Sequence, residues 1–161
     1  MTTITSELIW DLLDEVKDPE FPVVSIVEMG IVREVKLDAR KATVILTPTF
    51  AGCPALYAIR DEVSRALSQA GVTDTDVRFS YSPPWSSDDL TPQARQKLKE
   101  FGVAPPASHQ GLIDPAELLP VPCPYCDSMD TSLKNEFGPT LCRAIYFCNN
   151  CNQPFERFKP I

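Results

Sequence analysis

Leu8, Ile9, Leu12, Leu13 and Val16 recur at helical spacing behind Ser6, a residue suited to capping, and predict an amphipathic helix over residues 6–17. The proline-flanked DPEFP that follows ends it. GIVREVKL and ATVILTPT are rich in β-branched residues and joined by the short polar DARK, a pattern that predicts a hairpin. In PALYAIRDEVSRALSQAG, positions Leu56, Ile59, Val63, Ala66, Leu67 and Ala70 form one apolar face. Pro54 stands at the first helical position and Gly71 at the stop. DVRFSYSP reads as a third strand, and TPQARQKLKEFG as a third helix capped by Thr91, with Pro92 first and Gly102 last. The resulting order, α-β-β-α-β-α, predicts a small α+β domain with helices packed over one face of a small mixed sheet.

After residue 102 the periodicity stops. VAPPASHQGLIDPAELLPVP is proline-dense and reads as a linker, so the expected organisation is a domain over 1–104, a linker over 105–120 and a small module over 121–161. A module of about 40 residues buries too little apolar surface to be stable unaided, so a staple is expected.

Composition narrows the setting. The chain has 161 residues, 43% of them apolar, and a net charge of −7, which suits a globular protein. Four basic and four acidic residues lie from Val121 onward, leaving 11 of the 15 basic and 18 of the 22 acidic residues upstream. A nucleic-acid partner is therefore not expected, since such proteins carry a basic footprint. No apolar run reaches the roughly 18 residues of a membrane span. The acidic opening MTTITSELIWDLLDEV lacks the blocks of a secretion signal, so the expected compartment is the cytoplasm. In a reducing cytosol six cysteines point to metal or redox chemistry more than to disulfides.

Four of them make one pattern. Cys123-x-x-Cys126 and Cys148-x-x-Cys151, 21 residues apart, each offer a thiolate pair to one side of a tetrahedral ion, while the intervening chain folds back as a hairpin. A structural zinc is expected there, worth roughly 10–16 kcal/mol of folding free energy in units this small. CPYC alone is also a glutaredoxin-type dithiol, but that motif opens a helix early in a larger domain. Here it follows prolines near the end of the sequence and has a second pair. Cys142 alternates with Ala144, Tyr146 and Cys148 on one strand face. It reads either as a small buried apolar residue or as an additional metal ligand. His109, the single histidine, falls in the expected linker and receives no role.

Cys53 stands apart, in TPTFAGCP, directly before the helix at Pro54. Free amide N–H groups and the helix dipole favour an anion there by roughly 0.3–1 kcal/mol, so its thiol pKa is expected to fall. The alternative is a buried cysteine filling a tight turn. A phosphatase loop is excluded because Ile59 stands where arginine is needed and Arg60 comes one position late; no P-loop is present, and a Cys–His nucleophile would depend on His109. No self-contained catalytic machinery is visible, so catalytic activity by this chain alone is not expected.

DPEFPVVSIVEMGIVREV, LTPTFAGCPA and YSPPWSSDDLTPQARQKLKEFGVAPP resemble, in order, the SufT-like domains used in iron-sulfur cluster maturation. With the ending CPYCDS...FGPTLCRAIYFCNNCNQPFERFKPI, the whole chain resembles the PaaD (PaaJ) family, accessory components encoded with phenylacetyl-CoA epoxidase in phenylacetate catabolism. The resemblance implies an accessory role in iron-sulfur or metal-centre assembly. It places Asp18, Glu20, Gly30, Thr47, Gly52, Cys53, Pro54 and Trp85 on the maturation motif, with Cys53 handling a transient iron-sulfur cluster or iron. The implied partners are the epoxidase's oxygenase and reductase subunits or iron-sulfur assembly proteins. Because one thiol cannot complete a cluster's usual four ligands, a homodimer is a further expectation. Two other readings stand beside this one: a non-catalytic structural adaptor that docks through the zinc ribbon, and a dithiol redox enzyme using Cys123 and Cys126.

Overall fold

The computed structural model describes residues 4–38, 41–112 and 120–161, so the centre of the DARK connection and residues 113–119 of the expected linker lie outside the described residues. By its internal contacts the chain divides into two compact units, Met1–Trp85 and Ser86–Ile161.

In the first unit, α1 (Ser6–Asp14) buries Ile9 and Leu13, side chains worth about 2 kcal/mol each when removed from water. Its cap is Thr5, whose hydroxyl accepts the Leu8 N–H at 3.2 Å, one residue earlier than expected, and it ends three residues short of Lys17. Strands β1 (Val32–Asp38) and β2 (Lys41–Leu46) pair antiparallel, with Val35 opposite Val44 and Asp38 opposite Lys41. Ala42, Val44 and Leu46 alternate into the core as strand periodicity requires. Helix α2 (Ala55–Gln69) buries Leu56, Ile59, Val63 and Leu67 of the face read from the sequence, while Ala66 is half-buried and Ala70, past the helix end, is exposed; Pro54 is its cap rather than its first residue. It closes in a Schellman motif: Gly71 N–H donates to Ser68 O and Val72 N–H to Leu67 O, both at 3.0 Å. The motif needs the left-handed φ of 90° that Gly71 supplies without strain. Strand β3 (Asp74–Phe79) then pairs parallel to β2, giving the order β1-β2-β3. A β2-α2-β3 crossover carries the chain back to the same sheet end.

The second unit begins with a 3-10 turn at Ser87–Asp89 and α3 (Pro92–Glu100), capped by the Thr91 hydroxyl. Val103–Ala104, at the end of the expected first domain, form β4 and pair parallel with β7 (Pro154–Phe158). Strands β5 (Thr131–Asn135) and β6 (Arg143–Cys148) complete a sheet of order β4-β7-β6-β5. Ala104, Val121, Cys123, Ala144, Tyr146, Cys148 and Phe155 form its buried cluster. The strand face expected from Cys142, Ala144, Tyr146 and Cys148 is thus the inward one. Its neighbours differ from expectation in one respect: α3 and β4 group with this sheet, because β4's backbone hydrogen bonds go to β7.

Candidate functional site

The second unit brings four thiols together. Cys123 precedes a tight turn in which Asp127 N–H donates back to Cys123 O at 2.9 Å, presenting Cys126 on the same side. Cys148 ends β6 and Cys151 follows in the turn into β7, its N–H directed at Cys148 Sγ. The four sulfurs all lie within 4.8 Å of one another, with Cys123–Cys151 at 3.7 Å and Cys126–Cys148 at 3.6 Å. Sulfurs about 2.3 Å from a tetrahedral ion lie about 3.8 Å apart, so the group fits one ion of zinc's size and ligand preference. Tetrahedral four-sulfur sites also suit iron. The thiols respond unequally to this crowding. The Ser128 backbone N–H and the Asn150 side chain lower Cys126 to about 6, while burial and the neighbouring sulfurs push Cys151 up to about 12. A bound cation removes that conflict. Cys142 is not one of the four: it is buried, with its sulfur 3.2 Å from Thr140 Oγ1.

The first unit holds Cys53. Where β2 ends at Leu46, the Thr47 N–H still bonds to Ile31 O at 2.8 Å, and the chain then turns, with Cys53 N–H donating to Phe50 O at 3.2 Å. The sulfur is half-buried and receives hydrogen bonds from the Ala55 N–H at the start of α2 and from the Thr49 side chain. These lower the thiol pKa as the helix-start argument expected. They lose to burial, and the Glu20 and Asp18 carboxylates push the same way, so the net shift is upward. The expectation of a depressed pKa is therefore reversed: desolvating a thiolate outweighs two hydrogen bonds to it.

The motif residues separate by task. Asp18 is buried, and its Oδ1 accepts the Glu20 N–H at 2.8 Å and the Phe21 N–H at 3.1 Å, which ties the DPEFP turn. Trp85 is 4% exposed and its indole N–H donates to Met29 O at 2.8 Å, anchoring the end of the unit. Gly52 is exposed, and a Cβ there would meet only the Phe50 ring at an ordinary 3.7 Å. Thr47 is fully buried and its hydroxyl has no hydrogen-bond partner among the described residues. Such a group costs about 1–3 kcal/mol unless something satisfies it.

Two features escaped the sequence reading. Thr49, whose side chain bonds Cys53, lies two residues past the motif threonine, and a threonine beside a proline carries no pattern of its own. His109 is buried: its Nε2 lies 3.1 Å from Ser87 Oγ and 3.2 Å from Ile161 O, and Nδ1 accepts the Gly111 N–H at 3.1 Å. His109 thus ties the Ser87 turn, the Gly111 backbone and Ile161 together.

Among the described residues, no helix is long and apolar enough to cross a membrane. Residues 6–79 match the family described as iron-sulfur cluster assembly protein, and residues 109–159 the PaaD zinc beta ribbon domain. The chain is 41% identical, over 95% of its own length and 92% of the relative's, to an Escherichia coli protein named as the D component of a "Putative 1,2-phenylacetyl-CoA epoxidase". It is also 37% identical, over 61% of its length and 97% of the relative's, to the Fe-S protein maturation auxiliary factor YitW of Bacillus subtilis. Among solved structures, a domain of unknown function from Bacillus anthracis superposes with a TM-score of 0.54 at 32% identity, covering 57% of this chain and 89% of that one. A conserved hypothetical protein of Thermotoga maritima gives 0.53 at 27% identity, covering 61% and 98%. With an iron-sulfur assembly unit followed by a cysteine ribbon and a similarity that spans nearly the whole of both chains, this chain belongs to the PaaD family.

Proposed function

We propose that this protein is a cytoplasmic accessory subunit of a phenylacetyl-CoA epoxidase system that assists assembly of an iron-sulfur cluster or metal centre on an oxygenase or reductase subunit. The observation that carries the reading is the turn from Thr47 to Cys53. It combines a half-buried thiol held by Ala55 N–H and Thr49 with a buried hydroxyl that the described fold leaves unsatisfied. The names of relatives matching the front unit support it, as does the epoxidase-component name of the relative spanning both units.

The raised thiol suits transient handling of cargo. Cys53 keeps its proton until an arriving iron displaces it, since metal ligation requires the thiolate and releases that proton. When the cargo leaves, burial and the nearby Glu20 and Asp18 charges favour taking the proton back. One thiol supplies one of a cluster's usual four ligands, so the remainder come from a donor, a small thiol or a second copy in a homodimer. The four-cysteine group, holding zinc in this reading, stabilises the second unit and takes no part in the transfer. In the full, zinc-replete chain, Cys53→Ser is expected to abolish cluster loading of the recipient protein and with it epoxidase activity. Undiminished loading by that variant would sink the carrier role.

A second reading, an adaptor that handles no cluster, draws on exposed rings in the second unit. Phe101 and Tyr125 line a groove with Ile145 and Pro154, and the Arg143–Glu156 ion pair, 2.7 Å long, edges it. Under that reading Cys53→Ser is silent, and Tyr125→Ser, with metal content intact, abolishes function.

A further inference from the structure

Residues 80–108 fall between the two family matches, so no role for α3 or β4 comes from them. We propose that α3 and β4 form the outer support of the four-cysteine metal site, with Lys99, Gly102 and Ala104 as positioning residues that hold the Cys123–Cys126 turn in binding geometry. Three independent contacts within the second unit carry this.

The first is an ion pair. Lys99 Nζ, in the last turn of α3, lies 2.5 Å from Asp127 Oδ1. Asp127 follows the ligand Cys126 directly, adopts a left-handed φ of 59°, and returns its N–H to the carbonyl of the ligand Cys123. A side chain that holds Asp127 therefore holds the turn on which both thiols are mounted. An exposed ion pair adds at most about 1 kcal/mol to global stability, but here its geometric effect falls on the turn between two ligands.

The second is a close approach. Gly102 ends α3 with a φ of 89°, and a Cβ placed on it would lie 2.6 Å from the Tyr125 hydroxyl oxygen and 3.2 Å from the adjacent ring carbon. Tyr125 stands between the two ligand cysteines, so its ring rests against the bare backbone at the end of α3. Any side chain at 102 forces the ring out and strains the helix terminus as well.

The third is burial. Ala104 shares the buried cluster with Cys123 and Cys148, and its strand pairs with β7, which leaves the Cys148–Cys151 turn. Both halves of the metal site thus lean on one segment. Cys126 and Tyr125 are themselves exposed, so the turn that carries them draws little support from burial.

The inference rests on the cysteines binding a metal, and the experiment separates the two claims. The full chain is loaded with zinc, or with cobalt for its thiolate absorption bands, and metal release to a competing chelator is measured. Lys99→Asp and Gly102→Ala are each expected to weaken metal binding by about tenfold, in the range found for residues that orient ligands. The exchange of charges in Lys99→Asp with Asp127→Lys is expected to restore affinity and the cobalt spectrum. Failure of the exchange to restore affinity would mean that Lys99 does not act through Asp127. Hydrogen exchange on metal-stripped protein is expected to show α3 amides losing protection together with β5–β7 while α2 keeps its own. Release rates unchanged in both variants, or native protection of α3 in stripped protein, would overturn the proposal and leave metal binding intact. A full chain that takes up neither zinc nor cobalt would overturn both.

Discussion

The two thiol sites of this chain were built by opposite means. Cys123, Cys126, Cys148 and Cys151 converge until their sulfurs lie within 4.8 Å of one another, and their surroundings push Cys126 down and Cys151 up. Cys53 sits among groups of mixed effect, two hydrogen bonds that favour its thiolate against burial and two carboxylates that oppose it. The first arrangement suits permanent occupancy and the second a ligand that lets go. A cysteine's chemistry therefore follows from what surrounds the sulfur, and a helix start by itself is too weak to decide it.

The largest expected break in this contrast comes from stripping the metal or making Cys148→Ser. Either should unfold the second unit, since metal ligation contributes roughly 10–16 kcal/mol to the folding of such modules. Circular dichroism and hydrogen exchange should show the loss confined to residues 86–161. If the first unit melted at the same time, the two sites would not be energetically separate.

Trp85→Phe tests the first unit's frame in the same way. It leaves Met29 O without the indole N–H and is expected to cost about 1–3 kcal/mol in urea unfolding. A change near zero would mean that the carbonyl finds another donor.

Cys53→Ser should alter stability by less than about 1 kcal/mol, because it replaces one small half-buried side chain by another. Cluster transfer should nevertheless be lost. A large destabilisation would return Cys53 to the role of a buried space-filler.

The smallest effect concerns pH. The folded Cys53 thiol holds its proton more tightly than the unfolded one, so its contribution to stability is full below the ordinary thiol pKa and is lost as pH rises through the raised folded value. Alkylation of Cys53 should accordingly need higher pH than a free thiol does, and Glu20→Gln should speed it a few-fold near neutrality. If the reactivity profile of the Glu20→Gln protein matched the parent's, the carboxylate would not be acting on the sulfur.

Much of this was legible in the residue pattern. α2 and its face, the Schellman stop at Gly71, the Thr91 cap of α3 and the four-cysteine group all follow from local spacing, because capping, helical periodicity and ligand pairing act over a few residues. Val103–Ala104 were not legible as a strand: two residues carry no period, and they become β4 only because β7 offers an edge. His109 looked like linker for the same reason, since the groups that bury it, Ser87 and Ile161, stand 22 and 52 positions away along the chain.

The residue order by itself determined which thiols pair and where the lone one stands, because knuckle spacing and a proline-started helix are local facts. Only the tertiary structure decided that burial raises the lone thiol's pKa and that α3 and β4 group with the cysteine ribbon. Desolvation and long-range charge depend on what the rest of the chain brings within a few ångströms, and strand pairing depends on which edge remains open. Neither is written in the neighbours along the sequence.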